Sequence, residues 1–481
     1  MKQIANFAKQ ASAVFALCAA VAVALPAQTF TTLVSFDGAN GELPYASLVQ
    51  SINGDLYGTT YAGGAHGGGT VFKMTSSGVL TGLYNFCAES GCTDGQNPGS
   101  ALVEVSNGDF YGTTRGGGRN GYGTVFRLAP DGTLTTLYSF CSLSGCADGE
   151  NPTAALLPLA DGDLYGTTYF GGAHDGGTVF KITARGTLTT LYSFCAKEAC
   201  GDGTNPEAAL IEATGGDLYG TTVGGGASGN GTVFKMTQSG ILTTLFSFCG
   251  DCASGSGPTA ALVQASNGDL YGTAAEGGAY GVGTIFRITP GGALTGLYSF
   301  CAQSACKDGA NPFGGLIAAT DGHFYGTTYA EGPNGGGTIF KIGLTGALTT
   351  LYGFCAQSGC PDGANPAAGL VQDTNGVFYG TTSLLGGYGY GTVFSLSVGL
   401  APFVETLPRF GRVGSAVDIL GTDLASATSV TFNGTAATTF TVNSTGSAIS
   451  TTVPAGATSG TVQVVTSSGT LLSNVPFRVL P

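Results

Sequence analysis

The chain has 481 residues, of which 84 are glycine, 9% are charged and 43% are hydrophobic. Its formal net charge of −13 argues against nucleic acid or an anionic membrane as partner, because phosphate groups are bound by clustered Lys and Arg. The hydrophobic content excludes a disordered chain, and the glycine content is typical of buried strands joined by tight turns.

Residues 1–27 are predicted to be a signal peptide. Two lysines precede an apolar stretch at residues 11–25, and a Pro-Ala pair follows it. The stretch is short for a membrane span and no second one follows, so no transmembrane segment is expected. Cleavage after Ala27 removes Cys18 and both lysines, which leaves 12 cysteines and a net charge of −15.

The tetrapeptide Tyr-Gly-Thr-Thr, or a near copy, recurs along most of the chain. Its seven tyrosines are Tyr57, Tyr111, Tyr165, Tyr219, Tyr271, Tyr325 and Tyr379. Successive copies lie 54 residues apart, except for one interval of 52. A fixed period of this size predicts a solenoid or a propeller.

Each repeat resolves into four short segments, which we name strands a, b, c and d. In the second copy they lie at residues 101–105, 109–114, 124–128 and 134–140. All are rich in β-branched and aromatic residues and are bounded by Gly, Asn, Asp or Pro, as strands are. Asn-Gly and Asp-Gly pairs predict two-residue hairpin turns between a and b and between c and d.

The strand d motif indicates how the array ends. Six copies follow a strand c, whereas the seventh repeat stops after its strand c at residues 392–394. The missing copy lies at the N-terminus, in residues 31–36. A permuted last strand favours a closed ring over an open solenoid, which would instead need capping repeats. The prediction is an all-β, seven-bladed β-propeller over residues 28–400, closed by an N-terminal strand.

The hairpins assign the connections to two faces of this ring. The a–b and c–d turns are short and share one face, the turn face. The longer b–c loops and d–a connections share the opposite face, the loop face. Long, variable loops on a rigid scaffold usually carry function, so the loop face is the expected working surface.

The 12 mature cysteines form six close pairs, one in each of six d–a connections. The pairs are Cys87/Cys92, Cys141/Cys146, Cys195/Cys200, Cys249/Cys252, Cys301/Cys306 and Cys355/Cys360. One pair per repeat in an exported chain favours local disulfides. Zinc is disfavoured, because two thiolates without paired histidines leave a site half-ligated. No metal site is predicted.

The sequence Asp-Gly-x-Asn-Pro follows several of these pairs, as at Asp94–Pro98 and Asp308–Pro312. Asp and Asn favour a turn capped by their own side chains, and this is the preferred interpretation. A weak calcium loop remains the alternative, since carboxylate, amide and carbonyl oxygens suit a hard cation. No other cofactor is expected.

Residues 401–481 abandon the repeat and are rich in Thr, Ser and Val. Alternating runs lie at residues 429–432, 448–453, 461–466 and 476–480. They predict a small immunoglobulin-like β-sandwich after the propeller.

The repeated blocks Leu-Tyr-Gly-Thr-Thr, Gly-Thr-Val-Phe-Lys and Leu-Thr-Thr-Leu-Tyr-Ser-Phe resemble those of the choice-of-anchor tandem repeat GloVer-containing family, over residues 30–398. The tail, with Ser-Val-Thr-Phe-Asn-Gly at 429–434 and Val-Pro-Ala-Gly at 453–456, resembles an IPT/TIG immunoglobulin-like domain. The resemblance implies an exported, surface-associated protein and offers no catalytic residues. Many members carry a C-terminal sorting signal, and its absence here favours release.

Loop residues that differ between repeats are the candidates for a site, because positions identical in every repeat hold the scaffold. The ligand-binding candidates are Tyr61, His66, Arg115, Arg119, Tyr169, His174, Glu276, Tyr280, Tyr329, Glu331 and Tyr388. If they converge at the mouth of the channel, they can hold a glycan by stacking and bidentate contacts. The alternative is that they are solvated loop residues without a role.

The expected function is a non-catalytic binding or adhesion scaffold that is secreted, extracellular or on the cell surface, with the periplasm as an alternative. Its partner would be an extracellular polysaccharide or a surface protein, and the chain would be a monomer. The alternative is a secreted polysaccharide lyase or hydrolase with its site on the loop face. There, His with Tyr or Glu would act as base and acid.

Overall fold

The computed structural model describes residues 28–249 and 253–481, and the predicted signal peptide lies outside them. The described chain is all-β, with nine four-stranded antiparallel sheets and one two-stranded parallel pair. Its helical elements are 3-10 turns of three residues. None of these turns has the length or hydropathy of a membrane span.

Seven of the sheets come from the repeat region, and six of them have the order a–b–c–d. Strand a is Val49–Gln50, Val103–Glu104, Leu157–Pro158, Ile211–Glu212, Val263–Gln264, Ile317–Ala318 and Val371–Gln372 in repeats 1 to 7. Strand b is Leu56–Thr60, Phe110–Thr114, Leu164–Thr168, Leu218–Thr222, Leu270–Ala274, Phe324–Thr328 and Phe378–Thr382. Strand c is Thr70–Met74, Thr124–Leu128, Thr178–Ile182, Thr232–Met236, Thr284–Ile288, Thr338–Ile342 and Thr392–Ser397. Strand d is Leu80–Asn85, Leu134–Ser139, Leu188–Ser193, Leu242–Ser247, Leu294–Ser299 and Leu348–Gly353 in repeats 1 to 6.

The fourth strand of repeat 7 comes from the N-terminus. Thr29–Ser35 pairs antiparallel with Thr392–Ser397, so the sheet joins the two ends of the repeat region. Strand a has two residues in every repeat, whereas the sequence predicts five. Strand a is an edge strand of its sheet, and the segment before it packs on the neighbouring repeat, as where Ser100 O accepts a hydrogen bond from Thr59 Oγ1.

The repeated tetrapeptide is explained by the packing of strand b. Its tyrosine lies between adjacent sheets, as the stacked pairs Tyr57–Phe110 and Tyr325–Phe378 show, each with ring centroids 4.2 Å apart. Its glycine is needed because a Cβ at Gly58 would lie 2.6 Å from Cζ of the strand c phenylalanine. The tyrosines are therefore packing residues of the scaffold.

The two threonines of the tetrapeptide form buried hydrogen bonds. The second one bonds strand c of its own sheet, as between Thr60 Oγ1 and Thr70 Oγ1 at 2.9 Å. The first one donates to a backbone carbonyl of the next repeat, as from Thr59 Oγ1 to Ser100 O at 3.1 Å. Equivalent bonds start from Thr113, Thr167, Thr221, Thr273 and Thr327. Thr381 of repeat 7 makes the same bond to Ala46 O, before strand a of repeat 1, at 3.4 Å.

The short turns contain three residues, so the prediction of two-residue hairpins is wrong. Ser51 N donates to Asp55 O and Gly54 N donates to Ser51 O, both at 2.9 Å. Gly54 has a φ of 86°, whereas Asn53 caps the turn by accepting the Asp55 N–H at Oδ1. This is a type I turn followed by a glycine bulge, in which a single positive φ is enough.

The d–a connections contain the cysteine pairs. Five pairs are joined as disulfides, with Cα atoms 4.0 to 4.2 Å apart: Cys87–Cys92, Cys141–Cys146, Cys195–Cys200, Cys301–Cys306 and Cys355–Cys360. Cys252, the partner predicted for Cys249, lies outside the described residues.

The aspartate after each described disulfide is the polar centre of its connection. Asp148 is fully buried and accepts hydrogen bonds from Tyr138 OH at 2.8 Å, Ser142 N at 2.9 Å and Leu143 N at 3.1 Å. Burial raises the pKa of Tyr138 to about 12, and the Asp148 carboxylate contributes to the shift. These contacts are those of a side-chain-capped turn, the preferred interpretation of the Asp-Gly-x-Asn-Pro sequence.

The strands after residue 403 form a C-terminal sandwich. One sheet has the order Val404–Leu407, Ala416–Gly421, Ala448–Thr452 and Phe440–Val442, and the other Thr435–Ala436, Ser429–Phe432, Val462–Thr466 and Gly469–Leu472. Phe410–Arg412 and Arg478–Leu480 form the parallel pair. Ile419 and Ile449 of the first sheet share one buried core with Val430 and Val464 of the second.

Candidate functional site at the inner edge of the loop face

Two positions in each repeat place side chains at the inner edge of the loop face. The first lies four residues before strand a, directly after the proline of the d–a connection: Tyr45, Gly99, Thr153, Glu207, Thr259, Phe313 and Ala367. The second directly follows strand b: Tyr61, Arg115, Tyr169, Val223, Ala275, Tyr329 and Ser383. At this edge the segments before strand a of neighbouring repeats touch one another, as where Ser47 Oγ donates to Gly369 O at 3.0 Å.

Four aromatic rings from repeats 6 and 1 form one side of this edge. Tyr45 meets Tyr61 edge to face, with centroids 5.5 Å apart, and Phe313 meets Tyr329 in the same way at 5.2 Å. Burial raises the pKa of Tyr45, and the neighbouring Tyr329 and Tyr61 raise it further. Repeat 7, which lies between repeats 6 and 1, has only alanine and serine at the two positions.

Arg115, Tyr169 and Glu207 form a second side, contributed by repeats 2, 3 and 4. Burial raises the pKa of Glu207, and the Arg115 charge opposes that rise. Burial also raises the pKa of Tyr169; Glu207 adds to this shift and Arg115 opposes it. Among the described residues, neither Arg115 nor Glu207 forms a salt bridge. Both charges therefore remain available to a ligand.

We name these seven residues the inner cluster: Tyr45, Tyr61, Arg115, Tyr169, Glu207, Phe313 and Tyr329. Tyr45 is 37% and Phe313 36% exposed, so their rings are open to solvent in part. Partly exposed aromatic rings can stack on a ring-shaped ligand, and a guanidinium and a carboxyl can hydrogen-bond its polar edge.

Five of the residues predicted from sequence lie elsewhere, at the outer tips of b–c loops. His66, His174, Tyr280 and Tyr388 share one equivalent position, and Arg119 occupies the position before it in repeat 2. Hydrogen bonds from backbone N–H groups to side chains of strand d hold the tips over that strand, as from Ala65 N to Asn85 Oδ1 at 2.9 Å and from Ala173 N to Ser193 Oγ at 3.2 Å. Strand d is the edge strand opposite strand a, and the two histidines lie at the loop tips of repeats 1 and 3.

Glu276 and Glu331 hold their loops through backbone contacts. Glu276 N donates to Ser256 O at 3.1 Å and Ser256 N donates to Glu276 O at 2.9 Å. Glu331 takes a φ of 61° and its backbone bridges Gly336. Both residues are exposed, and neither belongs to the inner cluster.

Of the predicted residues, Tyr61 and Tyr329 belong to the aromatic side of this edge, and Arg115 and Tyr169 belong to the second side. Sequence reasoning missed Tyr45, Glu207 and Phe313, because it compared only the b–c loops. A signal was present: the residue after the repeated proline is different in most repeats, in the same way as the residue after strand b.

One group in the described part of the chain has the spacing of metal ligands. Atoms of Cys141, Cys146 and Glu150 lie within 4.8 Å of one another. The two sulfur atoms are joined in a disulfide, and a disulfide does not offer the thiolates that bind zinc. This group therefore supplies no metal site while the disulfide is intact.

The family model of the Gloeobacter/Verrucomicrobia repeat matches most of the chain in three overlapping segments, residues 19–157, 142–307 and 254–449. The chain belongs to the Gloeobacter/Verrucomicrobia repeat family. Among curated proteins, none matches this Gloeobacter/Verrucomicrobia repeat protein.

Two solved structures resemble the repeat protein in fold. The extracellular domain of a putative hybrid two-component system from B. thetaiotaomicron matches with a TM-score of 0.52 and 12% identity, covering 95% of this chain and 59% of that one. This chain therefore spans little more than half of that domain. A fungal alcohol oxidase of the AA5 family, solved with copper, matches with a TM-score of 0.50 and 13% identity, covering 94% and 99%. At such identities the likeness concerns a propeller-like, all-β fold alone.

Proposed function

We propose that the seven repeat sheets close into one β-propeller over residues 28–400. The pairing of the N-terminal strand with repeat 7 supports closure, as does the hydrogen bond from Thr381 to Ala46, which matches those at the other junctions. A closed ring also leaves no long sheet edge open to other chains. Residues 401–481 would then be an IPT/TIG immunoglobulin-like domain.

We propose further that the protein is exported, with residues 1–27 as its signal peptide. Five disulfides of the described chain support export, because disulfides persist in oxidising compartments and are rare in the cytosol. The site of action would be outside the cell or on its surface.

We infer that the inner cluster binds a glycan without cleaving it. The observation that carries this inference is the set of four partly exposed rings, Tyr45, Tyr61, Phe313 and Tyr329, at the centre of the loop face. Such rings stack on the apolar faces of sugars, and their hydroxyl groups bond the sugar edge. Arg115 and Glu207, on the second side, can donate to and accept from sugar hydroxyl groups.

A glycan array probed with the mature chain tests this function, followed by calorimetry on any glycan it binds. Tyr61→Ala and Tyr329→Ala are each expected to weaken binding by about tenfold or more, the usual loss for a central aromatic contact. Tyr280→Ala is the matched control, since that ring is 54% exposed at a loop tip, and it should leave the affinity unchanged. No glycan bound, or an equal loss in the control, would refute the proposal.

A secreted lyase or hydrolase is a second candidate, favoured by one observation. Glu207 is a partly buried carboxyl whose pKa is raised by burial, and it lies near Tyr169 and Arg115. A raised pKa suits a general acid. Turnover of uronic-acid polymers that is abolished by Glu207→Gln would support the enzyme, whereas binding without cleavage would support the scaffold. His174→Ala should have no effect in either case, because His174 lies at a loop tip.

A further inference from the structure

The C-terminal sandwich lies on the turn face and contacts the two repeats at which the proposed ring closes. In repeat 1, Ile52 O accepts hydrogen bonds from Asn443 Nδ2 at 3.0 Å and Ser447 Oγ at 2.8 Å. In repeat 7, the hydroxyl groups of Thr374 and Thr422 lie 3.2 Å apart. Both contacts are made by a–b turns, which follow the innermost strand.

A third contact is made in repeat 4. Arg478 Nη2 lies 2.9 Å from Oε1 and 2.8 Å from Oε2 of Glu212, the last residue of that strand a. Two repeats lie between repeat 4 and repeat 1, and two lie between repeat 4 and repeat 7, so in a ring of seven repeat 4 lies opposite their junction. The sandwich therefore crosses the axis of the proposed ring and covers the turn-face end of its channel.

The last residue of strand a shows which repeats are specialised for this contact. In repeats 1 to 7 it is Gln50, Glu104, Pro158, Glu212, Gln264, Ala318 and Gln372. Glutamines here bond the turn of the preceding repeat, as from Gln50 Nε2 to Thr374 Oγ1 at 2.9 Å. Only repeats 2 and 4 carry an acid: Glu212 meets Arg478 of the sandwich, and Glu104 bonds the turn of repeat 1 on which the sandwich rests.

Glu104 lies beneath the contact with repeat 1. It is 3% exposed, accepts the Ser51 hydroxyl at 2.8 Å and accepts the N–H of Ile52 at 3.2 Å. Burial raises the pKa of Glu104 to about 7; the two hydrogen bonds oppose this rise, and Asp418 of the sandwich adds to it. Ionisation of Glu104 would therefore place a buried negative charge under the turn whose carbonyl holds the sandwich.

We propose that the C-terminal sandwich is a plug over the turn-face end of the channel, and that ionisation of Glu104 loosens it. This inference depends on the proposed closed ring, and it does not depend on the proposed glycan binding. Detachment hydrates the Glu104 carboxylate and separates it from Asp418. Because the carboxyl is neutral in the docked state at lower pH, docking is strongest in mildly acidic solution and weakens as the pH rises through about 7.

Hydrogen exchange of the mature chain between about pH 5.5 and about pH 8.5 tests the plug, with protection corrected for the intrinsic rate at each pH. Peptides over residues 51–55 and 443–448 should lose protection as the pH rises. Glu104→Gln should keep its protection throughout, and it should fold normally because repeats 1, 5 and 7 have glutamine there. Glu89→Gln, on the loop face, should respond as the wild type does.

Arg478→Met provides the second variant, since it removes the contact with Glu212 and should lower protection of both peptides at every pH. Constant protection of the wild type across the range would overturn the proposal. A Glu104→Gln variant that still responds to pH would overturn it as well. Failure of the glycan experiment leaves this measurement unaffected, so the two proposals can fail separately.

Discussion

Replacement of Phe36 by alanine tests whether the ring is closed. Phe36 follows the N-terminal strand, is fully buried and packs edge to face on Phe72 of repeat 1, with centroids 5.4 Å apart. Phe140 has the equivalent place between repeats 2 and 3, where it is fully buried 5.2 Å from Phe180. The two phenylalanines are thus a matched pair, one at the closing junction and one at an internal junction.

The two substitutions should cost similar free energy of unfolding. Complete burial of a phenylalanine side chain contributes about 1.5–3 kcal/mol through removal of apolar surface from water. The cavity left by truncation adds to this loss, so each Phe→Ala change should cost about 3–5 kcal/mol. If Phe36 fills the closing junction as it does in the structure, Phe36→Ala should lower the free energy of unfolding by the same amount as Phe140→Ala.

Urea unfolding of the two variants and the wild type measures these losses. Far-ultraviolet circular dichroism and tyrosine fluorescence should give coincident transitions, which would permit a two-state free energy. A loss below about 1 kcal/mol for Phe36→Ala, beside a full loss for Phe140→Ala, would show that the N-terminal strand contributes little. The reasoning for closure would then be refuted.

Three further outcomes concern the scaffold. Joint replacement of Cys301 and Cys306 by serine should cost about 2 kcal/mol in urea, because the small loop loses its constraint on the unfolded chain; an unchanged midpoint would contradict this. Gly112→Ala should cost about 1–3 kcal/mol by thermal or urea unfolding, since its Cβ would lie 2.5 Å from the strand c phenylalanine; a neutral effect would contradict the packing. The pKa of Tyr138 is about 12 when folded, so its contribution to stability is complete below about pH 10 and is lost as the pH rises towards that value. In alkaline solution the urea midpoint of Tyr138→Phe should therefore fall less steeply with pH than that of the wild type. An equally steep fall in both proteins would contradict the raised pKa of Tyr138.

The repeated pattern predicted the scaffold in detail because its information is local. Strands b, c and d lie within a residue or two of their predicted bounds, and the N-terminal strand pairs where the missing motif indicated. The turn prediction failed at one step: the Asn-Gly pair at residues 53–54 was compatible with a two-residue or a three-residue loop. Hydrogen bonds around Ser51 and Asp55 decided between them.

The amino-acid sequence by itself determined the strands, their order in each sheet and the cysteine pairs, because periodicity, glycine turns and spacing are properties of neighbouring residues. Only the tertiary structure decided which loop residues meet. Tyr61 packs on Tyr45, whereas the tip of the same loop, with His66, is held over strand d, and that difference has no local signature. The contact of Arg478 with Glu212 likewise joins residues 266 positions apart. This contact depends on where the C-terminal sandwich packs on the repeat region, and the repeated sequence does not specify that position.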